Sequence, residues 1–240
     1  MTPANFVSFV TKKEKFGTRF FIIDLHLDKP PVMDFSAGQY ISLDVGGGVR
    51  RAYSIASSPS EKNKVELCVD YTASGPGGQF LRNLKLGDAA NFIAPLGFFT
   101  LPEEIDLNAV YYFLATGPGV APIKSHILRL YEKAPLARAV LYFGTRVKED
   151  ILYKQVFENL ENAYANFKYV VTISQPNADW HGNTKYIPEL LDKDLGVVEN
   201  AHFFICGSPL MMQNVLKLLK TKRISETQIH LEKFSLPNSK

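Results

Sequence analysis

Tyr111-Tyr112-Phe113-Leu114-Ala115-Thr116-Gly117-Pro118-Gly119-Val120-Ala121-Pro122 reads as an apolar strand, a tight turn and the opening of a helix. Pro122 fits that opening, because a first-turn residue has no carbonyl waiting for its missing N–H. The alternation begins at 110–115 and 121–133 and repeats downstream. Strand pattern at 139–143 precedes helical pattern at 150–162, and 169–173 precedes a short helix near 186–191. Strand 203–206 then precedes a helix at 210–221, and 228–231 is a last strand. Strands alternating with amphipathic helices imply a parallel sheet covered on both faces.

Upstream of Pro102 the period is different. Short strands at 6–11, 18–25, 39–45, 51–56, 65–71 and 90–95 are punctuated by turns, the spacing of an antiparallel barrel. Val45-Gly46-Gly47-Gly48-Val49 lies between two of them and reads as a hairpin, since a phosphate loop would lead into a helix. Phe80, Leu81 and Leu84 recur at helical spacing within 78–86 before Gly87 ends the segment, so one short helix plugs the barrel. The polar stretch 102–108 is the linker. The expected architecture is therefore two domains: an antiparallel Greek-key β-barrel over 1–104, then an α/β parallel-sheet domain over 105–240.

The chain's 240 residues and 46% hydrophobic content suffice for two cores. Lys and Arg number 27 against 24 Asp and Glu, a net +3 with no long run of one sign, which argues against nucleic-acid binding. The densest basic cluster, Lys217, Lys220, Lys222 and Arg223, reads first as a solvated helix end and second as a patch for an acidic partner. Two cysteines, Cys68 and Cys206, give neither a disulfide framework nor ligands for an iron–sulfur cluster. No apolar stretch is long enough to span a membrane, and a cytoplasmic location is expected. His26, His126, His181, His202 and His230 show no metal-ligand spacing and read as isolated. No metal site is expected.

Four motifs carry chemistry. In Arg51-Ala52-Tyr53-Ser54, Arg51 and Tyr53 lie two apart on a strand and leave on one face, where a charged fork and an aromatic ring suit a flavin nucleotide. An Arg stem covering a surface Tyr explains that tetrapeptide equally well. Ser74-Gly75-Pro76-Gly77-Gly78 leads into the short helix and offers bare amides to an anion, although such turns also start helices for geometric reasons alone. The turn at Thr116, Gly117 and Gly119 lies where α/β sheets bind nucleotides, with a plain strand-to-helix corner as its rival. Cys206-Gly207-Ser208-Pro209 ends another strand at the same sheet edge. There Cys206 is either a small buried hydrophobe or a neutral, polarisable wall beside a nicotinamide.

In order along the chain, these motifs resemble the ferredoxin–NADP reductase superfamily. Gly38-Gln39-Tyr40, Pro95-Leu96-Gly97-Phe98-Phe99, Tyr142-Phe143-Gly144-Thr145-Arg146 and Glu232-Lys233-Phe234 extend the likeness over nearly the whole chain. The resemblance implies bound FAD with NAD(P)H as co-substrate. It implies that Arg51 holds the flavin phosphates, that Tyr53 packs on the isoalloxazine with Ala52 beside it, and that Ser54 sits close to N5. Gly77 and Gly78 would add amides. Thr116, Gly117, Gly119, Gly207 and Pro209 would border the nicotinamide nucleotide, with Arg146, Ser174 and Gln175 at its far end. Catalytic roles fall to Ser54, Cys206 and Glu232, and Phe234 would shield the flavin.

Three departures from the family pattern stand out: Leu81 where relatives carry a hydroxyl to the flavin phosphate, Pro118 in the second turn, and a neutral Gln175 where NADP-preferring relatives often have Arg. The implied function is hydride transfer between NAD(P)H and FAD, then electron delivery to a one-electron acceptor such as ferredoxin or flavodoxin. Leu81 motivates an alternative, a reductase using free flavin as substrate. An electron-transfer subunit of a larger complex is the other.

Overall fold

The computed structural model describes residues 2–195 and 200–233. In its first part β1 (Ala4–Phe16) and β2 (Phe20–Lys29) form a long hairpin turned at Gly17, whose φ of 55° is the left-handed region that glycine enters freely. Next come β3 (Tyr40–Asp44), β4 (Arg50–Ser54), β5 (Lys64–Asp70), α1 (Pro76–Asn83) and β6 (Phe92–Leu96). The six strands are ordered β4-β3-β6-β1-β2-β5 and every pairing is antiparallel. Beyond Ser54 the chain crosses to the opposite edge: Ile55 bridges Leu67, and the Ala56 N–H donates to the Glu66 carbonyl at 2.8 Å. That seam closes the sheet into the expected barrel.

Alternate residues Ile23, Leu25, Ile41, Leu43, Val65, Leu67 and Phe92 fill the barrel, and Leu81 and Leu84 from α1 pack into the same core. The short helix is thus a plug, as its spacing implied. β1 runs well past the expected 6–11, because Lys12, Lys13, Glu14 and Lys15 conceal a strand whose charged stems lie along the hairpin. Lys13 Nζ sits 4.5 Å over the Phe21 ring and Lys15 Nζ 5.5 Å over Tyr71.

The second part alternates β7 (Val110–Thr116), a 3-10 turn at Gly117–Gly119, α2 (Val120–Lys133), β8 (Arg138–Thr145) and α3 (Lys154–Ala163). It continues with β9 (Phe167–Ile173), α4 (Ile187–Asp194), β10 (Ala201–Cys206), α5 (Pro209–Thr221) and β11 (Ile229–Glu232). All five strands are parallel, in the order β11-β10-β7-β8-β9. From β7 the chain winds outward through β8 and β9, then returns to β7's other side for β10 and β11. The direction of winding therefore reverses between β7 and β10, and such a switch point opens a crevice at the carboxyl ends of the strands.

One helix start differs from expectation. The 150–162 pattern yields a 3-10 turn at Lys148–Asp150 and a helix only from Lys154, because Tyr153 adopts a left-handed φ of 57° that breaks the helical path. By contacts the chain forms two units. One comprises the described residues up to Pro102 together with Lys124–Arg129 of α2, and the other comprises Glu103–Ile123 and the described residues from Leu130 to 233. Within the first unit, Lys124 Nζ pairs with Glu66 Oε1 at 2.5 Å and Ser125 Oγ donates to the Ser57 carbonyl at 2.7 Å. His126 Nε2 lies 2.7 Å from the Phe99 carbonyl oxygen.

Candidate cofactor-binding sites

In the barrel, β4 leaves Arg51 and Ala52 exposed, Tyr53 half-buried and Ser54 buried. A Cβ placed on Gly77 would lie 2.6 Å from Tyr53 Oη and 3.2 Å from Arg51 Cγ, so the first turn of α1 rests on the face those two side chains share. Gly78 is equally constrained, since a Cβ there would strike the Ala73 carbonyl oxygen. Two adjacent arginines have opposite duties. Arg50 donates to Ser42 Oγ and to the Ser42 carbonyl, with Asp44 3.9 Å away. Arg51 Nη1 donates only to the Arg50 carbonyl at 2.8 Å, and among the described residues no carboxylate pairs with it. An exposed, unpaired guanidinium beside a glycine-lined helix start is a ready anion site.

Burial pushes the Tyr53 phenol up to about 12, with Arg51 pulling the other way, so the ring is a neutral aromatic wall. Ser54 pairs in register with Tyr40, whose ring lies over Gly97, where a Cβ would come within 2.8 Å of its Cδ1. Gln39 ties the same corner: its Oε1 accepts from the Ser36 N–H at 2.8 Å and its Nε2 donates to the Gly97 carbonyl at 3.2 Å. The motifs at 38–40 and 95–99 are therefore one assembly. Leu81 offers no hydroxyl to this site. Only 1% exposed, it sits in the barrel core, so a hydroxyl there would meet apolar side chains.

In the α/β unit, the turns that follow β7 and β10 interlock. Thr116 Oγ1 accepts the Ser208 N–H at 2.8 Å, and a Cβ on Gly207, whose φ is 153°, would strike that same oxygen. A Cβ on Gly119 would strike the Cys206 carbonyl oxygen. Only glycine permits so close a backbone approach. Pro209 opens α5, which is capped by Ser208 Oγ accepting from the Met211 N–H at 3.3 Å. Both turns lie at the carboxyl ends of the two strands that flank the switch point.

Ala115, Cys206 and Glu232 stand side by side across β7, β10 and β11. Burial pushes the Cys206 thiol well above its ordinary value, and Glu232 adds to the effect. Burial likewise raises the Glu232 carboxyl. Cys206 is thus a protonated thiol, suited to packing and not to nucleophilic attack. Farther along the same sheet edge, the Ser174 N–H donates to the Thr145 carbonyl at 3.0 Å and the Gln175 N–H to the Arg146 carbonyl at 2.8 Å. Arg146, Ser174 and Gln175 are brought together there, all exposed. Phe234 lies outside the described residues.

Two features escaped the sequence reading. His202 and His230 are not isolated: Nδ1 of the first lies 3.3 Å from Nε2 of the second. Tyr111 stacks on His202 and Phe204 stacks on His230. Among the described residues no group of three side chains could hold a metal ion, and no helix is long and apolar enough to cross a membrane. The other feature is the loop carrying Trp180.

Residues 8–101 match the oxidoreductase FAD-binding domain family, and residues 113–217 match the oxidoreductase NAD-binding domain family. Over 210 residues the chain is 31% identical to ferredoxin--NADP reductase B of Sorangium cellulosum, covering 83% of this chain and 85% of that protein. It is 32% identical over 219 residues to the phenol hydroxylase P5 protein of Acinetobacter pittii, covering 88% of this chain but only 60% of that protein's length. Among solved structures, the Amycolatopsis cytochrome P450 reductase GcoB superposes with a TM-score of 0.88 at 26% identity, over 98% of this chain and 71% of that one. A ferredoxin NADP+ reductase from Neisseria gonorrhoeae with bound FAD and NADP shares the fold, with a TM-score of 0.81 at 22% identity over 95% and 98% of the two chains.

Proposed function

This chain belongs to the ferredoxin–NADP reductase superfamily and is an FAD- and NAD(P)H-dependent oxidoreductase; from that premise we propose that it delivers electrons to a one-electron acceptor protein such as a ferredoxin or flavodoxin. Bound flavin would supply hydride acceptance from reduced nicotinamide and onward release of single electrons. In this reading residues 1–104 hold the FAD and 105–240 the nicotinamide nucleotide.

The observation that carries the reading is the pair of glycine cradles, one where Gly77 meets Tyr53 and Arg51, the other where Gly119 meets the Cys206 carbonyl. In each, glycine lets the chain's own atoms pack against a turn that opens a helix, and it is at such helix starts that phosphates are bound. Arg51 neutralises the flavin phosphates, Gly77 and Gly78 give amides, and Tyr53 and Ala52 set the ring's plane, with Ser54 near its reacting edge. Thr116, Gly117, Gly119, Gly207 and Pro209 shape the bed for the second nucleotide. There the Cys206 thiol excludes water, and Glu232, its carboxyl raised by burial, stands beside it at the sheet edge.

Arg146, Ser174 and Gln175 receive the adenosine end. A neutral amide at 175 cannot neutralise a 2′-phosphate, so NADH is the preferred donor. The test is anaerobic titration of the yellow protein with NADH and with NADPH. Bleaching of the flavin band, faster with NADH, is expected; no bleaching with either would overturn the proposal.

A second reading is an electron-transfer component of a larger complex. Its support is the phenol hydroxylase P5 relative, which at 32% identity extends well beyond the part that this chain spans. Absence of diaphorase turnover by the isolated chain would favour it. A reductase that takes free flavin as substrate is the third reading, motivated by Leu81 in place of a hydroxyl, and a protein that purifies colourless would favour it.

A further inference from the structure

β11 is a four-residue edge strand, half-exposed along its whole length and paired only with β10. So short an edge is weakly held, because a single ladder of backbone bonds must offset the entropy of ordering it. Near its start, His230 Nε2 lies 3.3 Å from Nδ1 of His202 on β10. Both imidazoles are clamped. His202 stacks on the fully buried Tyr111 with ring centroids 5.3 Å apart, and His230 stacks on the fully buried Phe204 at 4.4 Å. Rings held in this way keep their nitrogens facing one another, so little rotamer freedom is lost when a ligand arrives.

The separation of the two nitrogens is informative. A well-formed N–H hydrogen bond spans about 2.7–3.2 Å, so 3.3 Å is long for a shared proton. A zinc ion about 2.0–2.1 Å from each nitrogen would see the pair at an angle of about 107°, close to tetrahedral. Among the described residues no third imidazole, thiol or carboxylate completes the set, and the half-exposed rings leave the other positions to water. Asp106 favours a cation from farther off. Its carboxylate acts electrostatically on His202 and is steadied by Asn200 Nδ2 donating at 2.7 Å and the Asn108 N–H at 2.8 Å. Burial lowers both imidazoles, which keeps them in the neutral form that binds metal.

We propose that His202 and His230 chelate a divalent zinc ion, which clips the edge strand β11 to β10. With only two protein ligands the ion exchanges with solvent, as a reversible clip and not as a resident structural metal. His230 stands two residues before Glu232, so zinc fastens the strand that carries Glu232 opposite Cys206. The site needs neither flavin nor nicotinamide and stands apart from the function proposed above.

The test takes the untagged flavoprotein, stripped with a chelator, and titrates it calorimetrically with zinc chloride. One zinc per chain is expected, and the melting temperature should rise with zinc concentration but not with magnesium, a hard ion that prefers oxygen ligands. His202→Gln and His230→Gln, made separately, should each lower zinc affinity by about tenfold or more, while His26→Gln binds as the parent does. Zinc should also slow amide hydrogen exchange in β11 of the parent. Should one variant fail to fold, the other and the parent's exchange pattern still decide. Absence of saturable zinc binding by the parent would overturn the inference, as would undiminished binding in the variants or exchange in β11 indifferent to zinc. The two rings would then share no more than a hydrogen bond.

Discussion

Arg50 and Arg51 are neighbours in sequence and opposites in role. Arg50 is committed to Ser42 and faces Asp44, whereas the Arg51 guanidinium has no carboxylate and stands beside Gly77 and Tyr53. Arg51→Ala should therefore weaken FAD retention by about 1.5–3 kcal/mol, the worth of a hydrogen bond to a charged group, with little effect on unfolding of the flavin-free protein. Arg50→Ala should do the reverse, lowering the denaturation midpoint while the bound-flavin absorbance persists. Equal flavin loss in the two variants would contradict the division of labour. The tetrapeptide was legible because a strand has a period of two, which puts residues 51 and 53 on one face from sequence alone. The short helix was legible for a related reason: residues 81 and 84 share a helix face, and both enter the barrel core.

Between elements, the β10–β11 pairing sets Phe204 opposite His230 and so carries His202 and His230 to within 3.3 Å. No local pattern warned of that meeting, because 28 residues separate the two and only strand register joins them. Burial lowers both imidazoles; Asp106 partly offsets this at His202, and the neighbouring ring lowers His230 further. A histidine whose folded value lies below its unfolded one stabilises the fold above the unfolded value, near 6.5, and that contribution is lost as pH falls toward the folded value. Melting temperature should hence drop as pH goes from about 7 to about 5, and His230→Gln should flatten part of that slope. Identical pH profiles for parent and variant would refute the assignment. The long β1 escaped the sequence reading for a different reason, since four charged residues in a row look like a loop until their stems are seen lying along a hairpin.

For the molecule as a whole, the change of hydrophobic period near Pro102 made the two architectures legible, and right-handed crossovers made a parallel sheet the expected partner of the downstream helices. Strand order was not legible, because the reversal between β7 and β10 is a long-range choice that neighbouring residues do not record. Nor was the seam at Ile55 and Ala56 that joins the barrel's two edges. The membership of Lys124–Arg129 in the first unit was equally hidden, since those residues look like the middle of an ordinary amphipathic helix. Truncating the chain after Pro102 would remove the cation paired with the largely buried Glu66 and the hydroxyl donated to the Ser57 carbonyl. Loss of one partner from a buried ion pair costs about 3–5 kcal/mol, a large part of a small domain's stability. Such a fragment should give broad, poorly dispersed amide NMR spectra; sharp, dispersed ones would show that it folds unaided. The two halves are consequently not interchangeable cassettes: a chimaera that grafts the flavin half of a relative onto this chain must bring that relative's helix segment with it, although the segment is encoded inside the other half.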